Sequence, residues 1–204
     1  MSDFKDKYEQ TYKMVINEID NALAGIDVDA AETLVNDIMN ADDVFLTGVG
    51  RVMMSLQAFC KRLTHLGIKA HCVGDITEPA IKETDILIVG SGSGESIVPV
   101  AIAKKAKEFN AKVIHIGSNP NGAISQYADY MVRIPTRTRL YLKDEIDSQQ
   151  IMTSLFEQVL LIFGDVLAKM IVDEFFNAEF QEGGRHSRRV AKITEIEEKY
   201  SKTE

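Results

Sequence analysis

The chain has 204 residues, of which 45% are hydrophobic and 26% charged, and it carries a net charge of -8. That length and balance suit one globular domain with a single substantial core, taken here as residues 1–204 with N-terminal helices and a C-terminal helical tail. The acidic total excludes a general nucleic-acid surface, so any phosphate site has to be local.

Phe4, Tyr8, Tyr12, Val15, Ile16, Ile19 and Leu23 recur at three to four residues, which predicts an amphipathic helix ending near Gly25. Asp29 is placed to cap a second helix carrying Leu34, Val35 and Ile38. Val44-Phe45-Leu46 follows as a short buried strand and enters the glycine turn Gly48-Val49-Gly50-Arg51. A helix through Leu56, Phe59, Cys60 and Leu63 closes at Gly67, and Ile68 to Val73 reads as a second strand.

Ile86-Leu87-Ile88-Val89 reads as a third buried strand, and Gly90-Ser91-Gly92-Ser93-Gly94-Glu95-Ser96 cannot continue it, because few side chains there can pack. From Ile97 the positions Val100, Ala101, Ala103, Lys104 and Phe109 recur at helical spacing, so the Gly/Ser segment is a strand-to-helix turn with backbone N–H groups at a helix N-terminus. Its glycines admit close approach, and the hydroxyls of Ser91, Ser93 and Ser96 can donate to anionic oxygens. A phosphoryl group suits this turn; the plainer alternative is a serine-rich turn that only caps the helix. The turn lacks a Gly-Lys-Ser/Thr ending and G-x-G-x-x-G spacing, which favours a small phosphorylated metabolite over a nucleotide.

Lys112 to Ile116 is a fourth strand entering Gly117-Ser118-Asn119-Pro120, a short helix follows, and Tyr130 to Ile134 is a fifth strand stopped by Pro135. The polar stretch Thr136 to Gln149 is a loop long enough to be functional or to act as a lid. Ser154 to about Phe176 reads as one long helix, and the tail beyond Gly183-Gly184, with Val190, Ile193 and Ile196, as a peripheral or intersubunit helix. Strands alternating with helices predict a parallel sheet covered on both faces, with ligands at the carboxyl ends of the strands.

Cys60 and Cys72 sit in apolar patterns, as buried reduced thiols of a cytoplasmic protein do. The N-terminus has no signal-peptide pattern, and the apolar run Val159 to Val172 is broken by Asp165 and Lys169, so no membrane partner is expected. His71 and His115 lie in strand patterns and read as packed, and no His/Cys/Asp spacing points to a metal.

Several segments in this order resemble the sugar isomerase (SIS) domain family, and within it the 6-phospho-3-hexuloisomerase branch: Gly48-Val49-Gly50-Arg51, Arg62-Leu63-Thr64-His65-Leu66-Gly67, Ser91 to Ser96, Ser118-Asn119-Pro120, Ile134-Pro135-Thr136-Arg137-Thr138 and Ser154-Leu155-Phe156-Glu157-Gln158. The resemblance runs from about residue 10 to residue 187. It implies a three-layer α/β/α sandwich around a five-stranded parallel sheet, a homotetramer, and no metal or other cofactor. It also implies interconversion of D-arabino-3-hexulose 6-phosphate with fructose 6-phosphate in the ribulose monophosphate route of formaldehyde fixation. Val52 stands where the family usually has Ser, a hydroxyl worth about 0.5 to 1.5 kcal/mol. Glu78 stands where it usually has Thr, and a carboxylate there repels a phosphate unless it turns away or meets an arginine.

Moving a carbonyl from C3 to C2 requires a base that takes the C2 proton, passes through a 2,3-enediol and returns a proton to C3. Glu157 lies among Leu155, Phe156, Val159 and Leu160 and matches the family's catalytic glutamate; by pattern alone it is a partly exposed helix residue. His65 either assists proton transfer between the oxygens or only favours the dipole at the end of its helix. Gly50, Arg51 and Arg137, with Ser91, Gly92, Ser93, Gly94, Glu95 and Ser96, are the candidates for binding phosphate or sugar oxygens, a surface salt bridge being the alternative for the arginines. Asn119 holds the sugar or only begins its Asn-Pro turn, and His186 is a candidate to reach a neighbouring subunit's site. Two other roles fit the same residues: isomerisation of another phosphosugar, and a phosphosugar-binding module without turnover.

Overall fold

The computed structural model describes residues 2–177. Two helices, α1 (Ser2–Ala24) and α2 (Val28–Asn40), precede the first strand. The cap of α2 is Asp27 and not Asp29: Asp27 keeps an extended backbone and its carboxylate accepts the Asp29 N–H at 3.0 Å. Asp29 is already in the first turn, where its charge meets the positive end of the helix dipole.

The remaining order is β1 (Val44–Thr47), α3 (Gly50–His65), β2 (Ala70–Cys72), β3 (Ile86–Gly90), α4 (Ile97–Glu108), β4 (Lys112–Gly117), a 3₁₀ turn (Ala123–Gln126), β5 (Tyr130–Arg133), a second 3₁₀ turn (Ile151–Thr153) and α5 (Ser154–Asn177). All five strands are parallel, in the order β2-β1-β3-β4-β5. Val44 pairs with Ala70 on one side and Ile86 on the other, and Ile88 with Ile114.

Alternation along the strands divides the core into two layers. Val44, Leu46, Ile86, Ile88, Ile114 and Ile116 pack with residues of α1, α2, α3 and α5, including Ile19, Leu34, Leu63 and Val159. Phe45, Leu87, Val89 and Val113 face the other way, against Ala103 and Ala106 of α4. The result is the three-layer sandwich with a five-stranded parallel sheet expected from the sequence. Cys60 and Cys72 are both buried and free.

Two stripes read from periodicity face differently. On α4 the buried residues are Pro99, Ala103 and Ala106, while Ile97 is 85% exposed, because small residues let the helix lie close on Leu87 and Val89. On α1 only the second half is anchored, by Ile19 and Ala22, and Phe4, Tyr8, Tyr12 and Ile16 are exposed. The compact unit formed by these elements ends at Val172, and a second unit begins at Asp173. The tail helix read from Val190, Ile193 and Ile196, and His186 with it, lie outside the described residues. Among the described residues no helix is long and apolar enough to cross a membrane.

Candidate active site

The strand order reverses at β1: the chain moves outward to β2 and then returns to place β3 on the other side of β1. The helices that follow, α3 and α4, cover opposite faces of the sheet, so the turns leaving β1 and β3 diverge and open a crevice at their carboxyl ends. A cleft of about 510 Å³ occupies this place, lined by Gly50, Arg51 and Val52 after β1 and by Gly92, Ser93 and Ser96 after β3. Arg137, Thr138 and Arg139 beyond β5, with Thr153, Phe156 and Glu157 at the start of α5, close it.

The Ser91–Ser96 turn is held by buried hydrogen bonds. Ser91 is itself buried, its carbonyl lies 2.9 Å from His115 Nε2, and its hydroxyl accepts the Gly94 N–H at 3.2 Å. A carbonyl only accepts, so His115 carries its proton on Nε2. Burial pushes the His115 pKa below the ordinary histidine value, with the Ser91 carbonyl pulling the other way, so the ring is neutral near pH 7. Gly94 has φ +70° and a Cβ there would meet Gly122 Cα at 3.0 Å, a backbone geometry open only to glycine. Asn119 is buried, donates to the Ser93 carbonyl at 2.9 Å and accepts the Asn121 N–H at 3.0 Å; Glu95 accepts the Ala123 N–H at 3.1 Å. Ser91, Gly94, Glu95 and Asn119 therefore build the turn, and Gly92, Ser93 and Ser96 present it to the cleft.

Arg51 and Glu157 meet across the cleft floor. Arg51 Nε donates to Glu157 Oε1 at 2.5 Å and its Nη2 to the Met152 carbonyl at 2.6 Å. The Glu157 side chain is 12% exposed against 53% for Arg51, so the carboxylate is the enclosed partner and the guanidinium the one open to solvent. Ser55 donates to the Glu157 carbonyl at 2.8 Å, which pins the first turn of α5 to the second turn of α3. Met152 and Thr153 both have φ +57°, a left-handed pair of non-glycine residues beside the ion pair.

The loop after β5 supplies the far wall. Arg137 pairs with Asp147 at 2.9 Å and stacks on Tyr141, 4.4 Å from the ring centre. Thr138 donates to Glu145 at 2.5 Å. On α1, buried Glu18 accepts from Ser148 Oγ and Gln149 N, both at 2.7 Å, and from Gln150 Nε2 at 3.2 Å. Burial alone would raise the Glu18 pKa, but these donors together hold it below the ordinary carboxylate value.

His65 is the last residue of α3, while Arg51 is at its first turn, a separation of about 21 Å along the helix. One chain therefore does not bring His65 to the cleft. Val52 lines the cleft, in the place of the family's serine. Glu78 does not: it accepts the Gly74 N–H at 2.9 Å and lines a separate cavity of about 210 Å³ with Phe45, Ile81 and Ile102. Arg139, Thr153 and His115 belong to the site or its support, and no local sequence signal marks them for it. Arg139 lies in a loop without periodicity, and His115 is packed beneath the turn, as its strand pattern predicts. Among the described residues no three His, Cys, Asp or Glu side chains gather as metal ligands do.

The SIS domain pattern matches residues 37–162. The chain is 34% identical over 160 residues to a 3-hexulose-6-phosphate isomerase of Bacillus subtilis, covering 78% of this chain and 86% of that one. A crystal structure of a Methanococcus jannaschii protein, from which the function of 3-hexulose-6-phosphate isomerase was inferred, superposes with a TM-score of 0.70 at 30% identity, over 81% of this chain and 91% of that one. The Vibrio vulnificus NanR protein complexed with ManNAc-6P shares the fold alone, with a TM-score of 0.67 at 15% identity over 94% of this chain and 70% of that one. By sequence and by fold, the chain belongs to the SIS domain family, on a branch with relatives named as isomerases.

Proposed function

We propose that this protein is a phosphosugar isomerase that interconverts D-arabino-3-hexulose 6-phosphate and fructose 6-phosphate, with Glu157 as the base. The observation that carries the reading is the juxtaposition of Glu157 with Arg51 in the cleft that the Gly92, Ser93 and Ser96 turn also lines. The sugar phosphate lies with its ester against that turn, where N–H groups, hydroxyls and the α4 dipole meet the anion. Its carbon chain then extends toward α5. Glu157 removes the proton at C2, the electron pair forms the C2–C3 double bond as O3 takes a proton to give the enediol, and loss of the O2 proton then forms the C2 carbonyl while the Glu157 carboxyl, its proton exchanged with solvent, delivers a proton to C3. Arg51 stabilises negative charge on the sugar oxygens during this passage, its guanidinium swinging from Glu157 toward them.

The family resemblance supports a homotetramer working in the ribulose monophosphate route, the two buried free cysteines support a cytoplasmic setting, and the relatives' names support the hexulose phosphate as substrate. The assignment of Glu157 as base is supported by its match to the family's catalytic glutamate and by its place in the cleft. Incubation with fructose 6-phosphate in deuterated water tests turnover: deuterium at C3 of recovered fructose 6-phosphate, or at C2 of the 3-hexulose phosphate formed, is expected. Sugar phosphate binding with no deuterium uptake would leave a binding module without turnover.

A further inference from the structure

We propose that Arg139 supplies the positive charge that meets the substrate's phosphate, and so sets the cleft's preference for phosphorylated over neutral sugars; this rests on the reading of the cleft as a phosphosugar site. Three guanidinium groups line the cleft, those of Arg51, Arg137 and Arg139. Arg51 is paired with Glu157 at 2.5 Å and with the Met152 carbonyl at 2.6 Å. Arg137 is paired with Asp147 at 2.9 Å and covered on one face by Tyr141. To an arriving dianion each of these is half of a neutral pair, and the attraction of the arginine is offset by the repulsion of its carboxylate.

Arg139 differs. Its side chain is exposed and makes no hydrogen bond, ion pair or ring contact among the described residues. It stands where the cleft joins a second cavity of about 350 Å³, which Arg137, Thr138, Arg139 and Thr153 also line, with Tyr141 and Gln150. Its backbone is nonetheless fixed: Thr138 is buried, donates to Glu145 at 2.5 Å and accepts the Leu140 N–H at 3.2 Å. Only side-chain freedom is lost when Arg139 closes on a ligand. The turn N–H groups and the α4 dipole offer partial charges, whereas a phosphate dianion is matched by a full charge in a fork of donors, and Arg139 is the arginine in this cleft not already committed to a carboxylate.

Isothermal titration of the full chain with fructose 6-phosphate and with inorganic phosphate, at two salt concentrations, tests this. Arg139→Gln is expected to weaken both ligands about tenfold or more and to flatten the salt dependence, as loss of a charged donor does. Arg139→Lys, which keeps the charge and loses the fork, is expected to fall between that variant and the wild type, and Arg137→Gln to cost less than Arg139→Gln. Wild-type affinity in Arg139→Gln, or a larger loss in Arg137→Gln, would overturn the assignment while leaving the cleft reading in place. A wild-type protein that binds neither ligand overturns the cleft reading, and Arg139 with it.

Discussion

Arg51 and Glu157, 106 residues apart in sequence, are joined by a 2.5 Å hydrogen bond between the first turns of two helices. The arginine enters from the turn after β1, the glutamate from the turn that begins α5, and Ser55 locks the two helices at that point with a bond to the Glu157 carbonyl. Under the proposed mechanism, Glu157→Gln is expected to lower turnover of fructose 6-phosphate by about 10² to 10⁴, the range for removing a positioned base. Affinity for the sugar phosphate should stay within a few-fold of wild type. A coupled isomerase assay and titration calorimetry report the two effects separately, and full turnover in the variant removes Glu157 as the base.

His115 acts on the turn from below, through the 2.9 Å bond from Nε2 to the Ser91 carbonyl. His115→Leu leaves that buried acceptor short of a donor, at about 1 to 3 kcal/mol, and is expected to raise KM for the sugar phosphate more than it lowers kcat. His115→Gln restores an N–H and should recover much of the KM. The pH dependence has a definite sign. The native ring resists protonation and the unfolded ring does not, so its contribution to stability is present above the ordinary value of 6.5 and declines as pH falls below it. Thermal melts between pH 7 and pH 5 should therefore fall less steeply for His115→Gln than for wild type, and parallel curves would refute the assignment.

Gly122 faces the turn at its tightest point. A Cβ at this position would meet Gly94 Cα and the Ser93 carbonyl oxygen at 2.7 Å each, both backbone atoms that cannot swing aside. Gly122→Ala is expected to cost about 1 to 3 kcal/mol of stability, as overpacking does, and to weaken sugar phosphate binding by displacing Ser93. Denaturant unfolding and a KM measurement check it; neither quantity changing would show that the turn accommodates the methyl group.

Glu18 ties the 148–150 segment to α1 with three accepted hydrogen bonds. Because its folded pKa lies below the ordinary 4.5, the stability it contributes is present above that value and is lost as pH falls through the folded pKa. Hydrogen-exchange protection at residues 148–150, taken relative to the intrinsic exchange rate at each pH, is expected to fall below about pH 4.5, and to be already low at neutral pH in Glu18→Ala. Unaltered exchange in that variant would mean the segment is held by other contacts.

Much of this architecture could be read from the order of residues. Runs such as Ile86-Leu87-Ile88-Val89 between glycine turns specify buried parallel strands because no other arrangement hides both faces of such a run. The Gly/Ser turn after β3 was legible for the same local reason: glycines and serines cannot extend the strand, and the helical period resumes at once. The tertiary structure decided which of those residues face the ligand and which build the turn, since the bonds from His115 to Ser91 and from Asn119 to Ser93 join segments 24 and 26 residues apart. It also separated His65 from the cleft, because a straight helix puts its two ends about 21 Å apart whatever the sequence motif suggests. Arg51 meeting Glu157, Arg137 meeting Asp147 and Arg139 meeting neither are facts of chain packing, and no periodicity or local propensity encodes them.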